Sequence, residues 1–136
     1  MKSFFYLPWW FFKARILGIK RPLQTVLFIS DKCNLACRHC SVYRTTNPNI
    51  KSYHQIKEEL EYSYRLGSRF VDLEGGEPTM WHDGDKDLNS LIRLSRKIGF
   101  YSATITTNAF MPFKDSEAAS IWVSLDGLGQ YHDDIR

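Results

Sequence analysis

The sequence predicts an α/β fold built on parallel strands, and three observations point there. From Gln24 onward, a short β-rich apolar run, a loop of unusual composition and an amphipathic helical stretch follow one another and then repeat. Both helical stretches stop at a glycine, Gly67 and Gly99, as helices often do. The loops rich in Cys, Gly-Gly and Thr-Asn come after the apolar runs, so a parallel sheet would gather them at its carboxyl edge, where α/β folds place their sites.

The first strand is Thr25 to Ile29, a continuous apolar run of the kind buried on both faces. Ser52 and Gln55 have capping-box spacing and open a helix in which Tyr53, Ile56, Leu60 and Tyr64 recur at helical intervals up to Gly67. Arg69 to Leu73 is the second strand, followed by Glu74-Gly75-Gly76-Glu77-Pro78. A second helix runs from about Asp87 to Ile98, with Leu88, Leu91, Ile92 and Ile98 on its apolar side and Arg96 and Lys97 in the last turn, where cations suit the helix dipole. Tyr101 to Thr106 is the third strand. A short connection containing Pro112 and an acidic turn leads to the fourth, Ile121 to Leu125. The sheet would still have an open edge there, so the chain reads as a fragment, or as a fold whose edge something else covers.

A length of 136 residues suits one domain or part of one, and 43% hydrophobic with 24% charged residues is ordinary globular composition. The net charge of +3 is too small for a nucleic-acid surface, so no nucleic-acid partner is expected. The three cysteines, Cys33, Cys37 and Cys40, sit too close together to staple distant segments. They point to metal in a reducing compartment. With no cleavable signal in view, the cytoplasm is the expected location.

The spacing C-x3-C-x2-C lets three thiolates reach three corners of one cubane, and the chain has no fourth cysteine. One iron would stay open to an outside ligand, as in reactive rather than structural centres. Two alternatives stand beside this: a Cys3His zinc site completed by His39, His54 or His82, and a set of buried cysteines that bind nothing. Gly75 and Gly76 would allow close backbone approach to a ligand, and Glu77 offers a carboxylate to a cationic amine. Thr107, Asn108 and Ser124 carry short polar side chains that suit hydroxyl or carboxylate ligands, and equally suit turn capping. Asp126 could serve a ligand or cap the turn at Gly127.

Taken in chain order, the cysteine run, Gly75-Gly76-Glu77-Pro78, Thr106-Thr107-Asn108 and Ser124-Leu125-Asp126-Gly127, each after a strand, resemble the radical S-adenosylmethionine superfamily over residues 24 to 136. The resemblance implies a partial parallel (βα) barrel, truncated after about four strands. It implies one 4Fe-4S cluster on Cys33, Cys37 and Cys40, and S-adenosyl-L-methionine on the open iron. It places contacts to the methionine amine at Gly75, Gly76, Glu77 and Pro78, and contacts around ribose and carboxylate at Thr107, Asn108, Ser124 and Asp126. His39 would lie near the adenine, where the family commonly has Phe or Tyr. The activity implied is reductive cleavage of the cofactor to a 5′-deoxyadenosyl radical acting on an unidentified substrate, with a flavodoxin- or ferredoxin-type electron donor. The rival is a non-catalytic metal-binding interaction module derived from such an enzyme.

Residues 1–22 lie outside the resemblance and form an arm ahead of the 23–136 core segment. Seven of the nine residues from Phe4 to Phe12 are aromatic, and Lys13, Arg15, Lys20 and Arg21 follow. The run is too short to span a bilayer. Two readings are open: peripheral membrane contact through residues 4–21, or packing on further protein.

Overall fold

The computed structural model describes residues 2–40, 42 and 46–136, with Lys2 and Ser3 described by their backbone alone. The chain begins with α1 (Lys2–Arg15), then β1 (Gln24–Phe28), α2 (Tyr53–Leu66), β2 (Phe70–Glu74), a 3-10 turn (Pro78–Met80) and a two-residue hairpin, β3 (His82–Asp83) with β4 (Lys86–Asp87). After these come α3 (Leu88–Ile98), β5 (Ser102–Thr107), β6 (Ile121–Val123) and the short α4 (Gln130–Asp133). The main sheet has the order β1-β2-β5-β6 and every pairing in it is parallel. Sequential order with all strands parallel is the winding of an opening barrel wall.

The local signals explain the helices. Ser52 accepts from the Gln55 N–H while the Gln55 side chain accepts from the Ser52 N–H, and Gly67 closes α2 in the left-handed region at φ 115°. Asp87 and Ser90 form the same reciprocal cap on α3, and Gly99 closes it at φ 119°. Both helices pack on one face of the sheet. Leu27 and Ile29, Val71 and Leu73, and Ala103 and Ile105 alternate onto that face and bury against Ile56, Leu60, Leu91 and Ile92. Full burial of each large aliphatic side chain contributes roughly 1.5–3 kcal/mol.

The first strand departs from expectation, since it is not buried on both faces. Val26 and Phe28 are exposed on the side away from the helices. Among the described residues no helix layer covers that side, and its centre is polar: Asp72 accepts from Thr104 Oγ1 at 2.6 Å and from Thr106 Oγ1 at 2.8 Å. The connection from β5 to β6, 108–120, is irregular chain rather than a helix. The side-chain amide of Asn89 holds it, donating to the Asp115 carbonyl at 3.0 Å and accepting from the Glu117 N–H at 2.9 Å.

The N-terminal arm is helical despite Pro8, which removes the hydrogen bond to the Phe4 carbonyl. Two polar tethers hold it under the amino-terminal end of the strands. Tyr6 Oη donates to the Gly67 carbonyl and Trp10 Nε1 to the Arg21 carbonyl, each at 3.0 Å. The Tyr6 ring also meets Tyr101 edge-on, with centroids 5.2 Å apart, and burial pushes the phenol's pKa up.

Candidate metal and cofactor site

Three loops converge at the carboxyl edge of the sheet, and backbone hydrogen bonds lock the first two. Gly76 N–H donates to the Ser30 carbonyl at 2.7 Å, and Glu77 N–H to the Lys32 carbonyl at 2.8 Å. A Cβ on residue 75 would stand 2.3 Å from Ser30 O, and one on residue 76 would stand 2.4 Å from Lys32 O. The two glycines are therefore required by the chain's own cysteine loop, where the sequence suggested approach to a ligand. Any side chain at either position would push that loop away.

Glu77 ties the second loop to the third. It is 1% exposed, and its Oε1 accepts from Thr79 N at 3.2 Å, Thr79 Oγ1 at 2.5 Å and Thr107 Oγ1 at 2.6 Å. Its Oε2 accepts from the Asn108 N–H at 2.8 Å, leaving room on that oxygen for one more donor. Pro78 starts the 3-10 turn that Glu77 caps. Thr107 is buried and uses its hydroxyl twice, donating to Glu77 and accepting from the Ala109 N–H at 3.1 Å. Ala109 has φ 61°, a left-handed conformation costly for a residue with a Cβ. Asn108 spans to the cysteine loop, its Nδ2 donating to Asn34 Oδ1 at 2.9 Å, while its Oδ1 accepts from Phe110 N–H in an Asx turn.

One cavity of about 300 Å³ results, and Cys33, Cys37 and Cys40 all line it. Gly75 and Gly76 form a second part of the wall; Thr107, Asn108 and Ser124 form a third, and His39 lines the cavity as well. Glu77, Pro78 and Asp126 are not on that wall, and they act on it through neighbours. Five lining residues were not singled out from sequence as ligand contacts: Phe28, Val42, Glu74, Thr106 and Arg136. Glu74 had a readable signal, because strand alternation puts it on the same face as Asp72. Arg136 had none. Burial, and then the neighbouring Asp72, raises the pKa of Glu74 above the usual carboxylate range.

The donor set suits an iron-sulfur cluster through its sulfur atoms. Three thiols share one cavity wall, as thiolates bound to different irons of one cluster must. In addition, Asn34 Nδ2 is a buried donor with no partner, beside Cys33 in the same loop. Burial raises the pKa of the Cys33 thiol, partly offset by the Leu35 N–H that points at its sulfur. Loading metal on Cys33 would therefore release a proton.

The fourth loop is fastened to the cysteine loop through its acid. Asp126 Oδ2 accepts from Arg136 Nε at 2.5 Å and Oδ1 stands 3.7 Å from His39 Nε2. The Asp126 N–H donates to His132 Nδ1 at 3.3 Å, and Arg38 N–H donates to the Ile135 carbonyl. His39 thus meets an acidic partner at one end.

A parallel sheet wound as part of a barrel wall, with three thiols in one cavity at its carboxyl edge, defines an α/β protein of partial-barrel type. The chain belongs to the radical SAM superfamily, whose family model matches residues 27–136. It is 30% identical over 117 residues to the probable GTP 3′,8-cyclase of Metallosphaera sedula, covering 79% of this chain and 36% of that protein. With the mycofactocin maturase MftC of Mycolicibacterium smegmatis it shares 27% identity over 123 residues, 88% of this chain and 31% of the relative. Among solved structures, Streptococcus suis SuiB bound to S-adenosylmethionine superposes with a TM-score of 0.59 at 24% identity, over 88% of this chain and 28% of that one. SuiB bound to its precursor peptide SuiA gives 0.60 at 25% identity, over 79% and 25%. The chain spans about a third of the length of these curated relatives.

Proposed function

We propose that this chain carries the cofactor-binding part of a radical S-adenosylmethionine enzyme. The observation that carries the reading is the single cavity shared by Cys33, Cys37, Cys40, both glycines of the second loop and the polar tips of the third and fourth strands. When bound, a 4Fe-4S cluster and S-adenosylmethionine supply reductive cleavage to a carbon-centred radical, the hard chemistry that belongs to the cofactor. The protein's part is placement. Cys33, Cys37 and Cys40 hold three irons. Gly75 and Gly76 keep the second loop tight against them. Glu77 positions Thr107 and Asn108 from behind the cavity wall. Thr107, Asn108 and Ser124 face the cofactor's polar groups, and His39 borders the adenine end with Asp126 behind it.

Substrate and electron donor come next. The likeness to SuiB, solved with its precursor peptide, makes a peptide the first substrate class to assay. A small reducing protein of flavodoxin or ferredoxin type is the donor this chemistry calls for.

Anaerobic reconstitution with iron and sulfide tests the ligand set. The wild-type chain is expected to turn brown and hold four irons' worth of cubane, and Cys37→Ala to lose that colour. A colourless chain holding stoichiometric zinc would favour the non-catalytic module instead.

A further inference from the structure

The helix α1 takes no part in the cavity, yet among the described residues it carries the longest run of exposed apolar side chains. Its inward face is short and specific: Tyr6 and Trp10, one turn apart, make the two tethers to the body. A neighbouring stripe is apolar and open. Phe5, Trp9, Phe12 and Ile16 recur at helical spacing and are 72%, 52%, 42% and 66% exposed. A soluble surface seldom leaves such a contiguous aromatic patch without an occupant.

Charge selects among occupants. The first thirty residues contain Lys2, Lys13, Arg15, Lys20 and Arg21 and no acid at all, the first carboxylate being Asp31. Lys13 Nζ lies 4.8 Å from the Trp9 ring centroid, and Trp9 stacks on Phe12 with rings 5.7 Å apart and 9° from parallel. A cation is thereby fixed against an aromatic platform, the pairing that suits an interface with apolar chains beneath and anionic headgroups above. A protein partner would need a matching acidic apolar face, whereas an anionic bilayer offers both features at once. Among the described residues no helix is long and apolar enough to cross a membrane, so the contact would be in the plane of the surface.

We propose that the outward face of α1, Phe5, Trp9, Phe12 and Ile16 with Lys13 and Arg15 beside them, docks the protein on an anionic lipid surface. The geometry also sets the orientation. The tethers of α1 lie at the amino-terminal ends of the strands, beside Gly67 and Tyr101, while the cysteines lie at the carboxyl ends. Five-residue β2 separates the two levels by about 17 Å. The cavity therefore stands off the bilayer, and its substrate reaches it from the aqueous side.

Flotation of the intact chain with vesicles tests the docking. Wild type is expected to float with mixed phosphatidylcholine and phosphatidylglycerol, to stay down with phosphatidylcholine alone, and to be released by high salt. Lys13→Gln with Arg15→Gln is expected to weaken binding about tenfold or more. Phe5→Ser with Phe12→Ser is expected to abolish it while leaving the iron-sulfur absorbance unchanged, which shows that the fold and cavity are intact. Failure to float on anionic vesicles overturns the proposal. So does equal binding to both vesicles without salt dependence, or a chain that stays off vesicles but self-associates in gel filtration until Phe5 and Phe12 are replaced.

Discussion

Glu77 shows how one buried side chain can organise a site that it does not line. Its carboxylate takes four donors, from Thr79, Thr107 and Asn108, and so fixes the second loop against the third. Hydrogen bonds to a charged acceptor are among the stronger ones, and a buried donor left unpaired costs about 1–3 kcal/mol. Glu77→Gln replaces one acceptor by an NH2 group that must face a donor. Urea unfolding should show a loss of roughly 2–3 kcal/mol, and an unchanged midpoint would mean that these bonds do not hold the loops. The sequence announced Glu77 as a partner for a ligand amine; its pairing with Thr107 and Asn108 was hidden because those residues lie some thirty positions away in the chain. The need for glycine at 75 was legible, but its cause was not. A close approach to Ser30 O is a tertiary fact that no local pattern encodes.

At the scale of elements, caps and periodicity were the reliable signals. The stops at Gly67 and Gly99 and the starts at Ser52 and Asp87 are all present, because a capping box and a left-handed glycine are local chemistry. The hydrogen bond from Ser90 holds the Asp87 carboxyl below its usual pKa, against a small opposing effect of burial. A depressed acid stabilises the fold above its unfolded pKa and loses that contribution as pH falls through the folded value. Asp87→Ala should therefore cost about 1 kcal/mol at neutral pH, with the difference from wild type shrinking below about pH 4. A difference that stays constant down to acid pH would contradict the cap. The helix α1 was not legible as a helix, since seven aromatics in nine positions mask the period of its exposed stripe and Pro8 argues against one. The irregular 108–120 crossing was equally obscure, because its order comes from Asn89 in another element.

For the molecule as a whole, the sheet is covered by helices on one side and polar on the other. Asp72, Thr104 and Thr106 line the centre of the uncovered face, and Glu74 continues it into the cavity. That asymmetry is why β1 misled: its apolar run resembles a strand buried twice, while only Leu27 and Ile29 reach the core. The parallel order and the gathering of loops at one edge followed from the repeat of strand, loop and helix, which is a property of the whole sequence and survives small errors in each boundary. The chain pairs a site at one end of the strands with an aromatic, cationic helix at the other.

The central claim is that three cysteines leave one metal position free for S-adenosylmethionine, and electron paramagnetic resonance of the reconstituted, dithionite-reduced chain tests it most directly. Adding S-adenosylmethionine should change the spectrum of the reduced cluster, as a ligand entering its coordination sphere must. A spectrum identical with and without the cofactor would contradict the account.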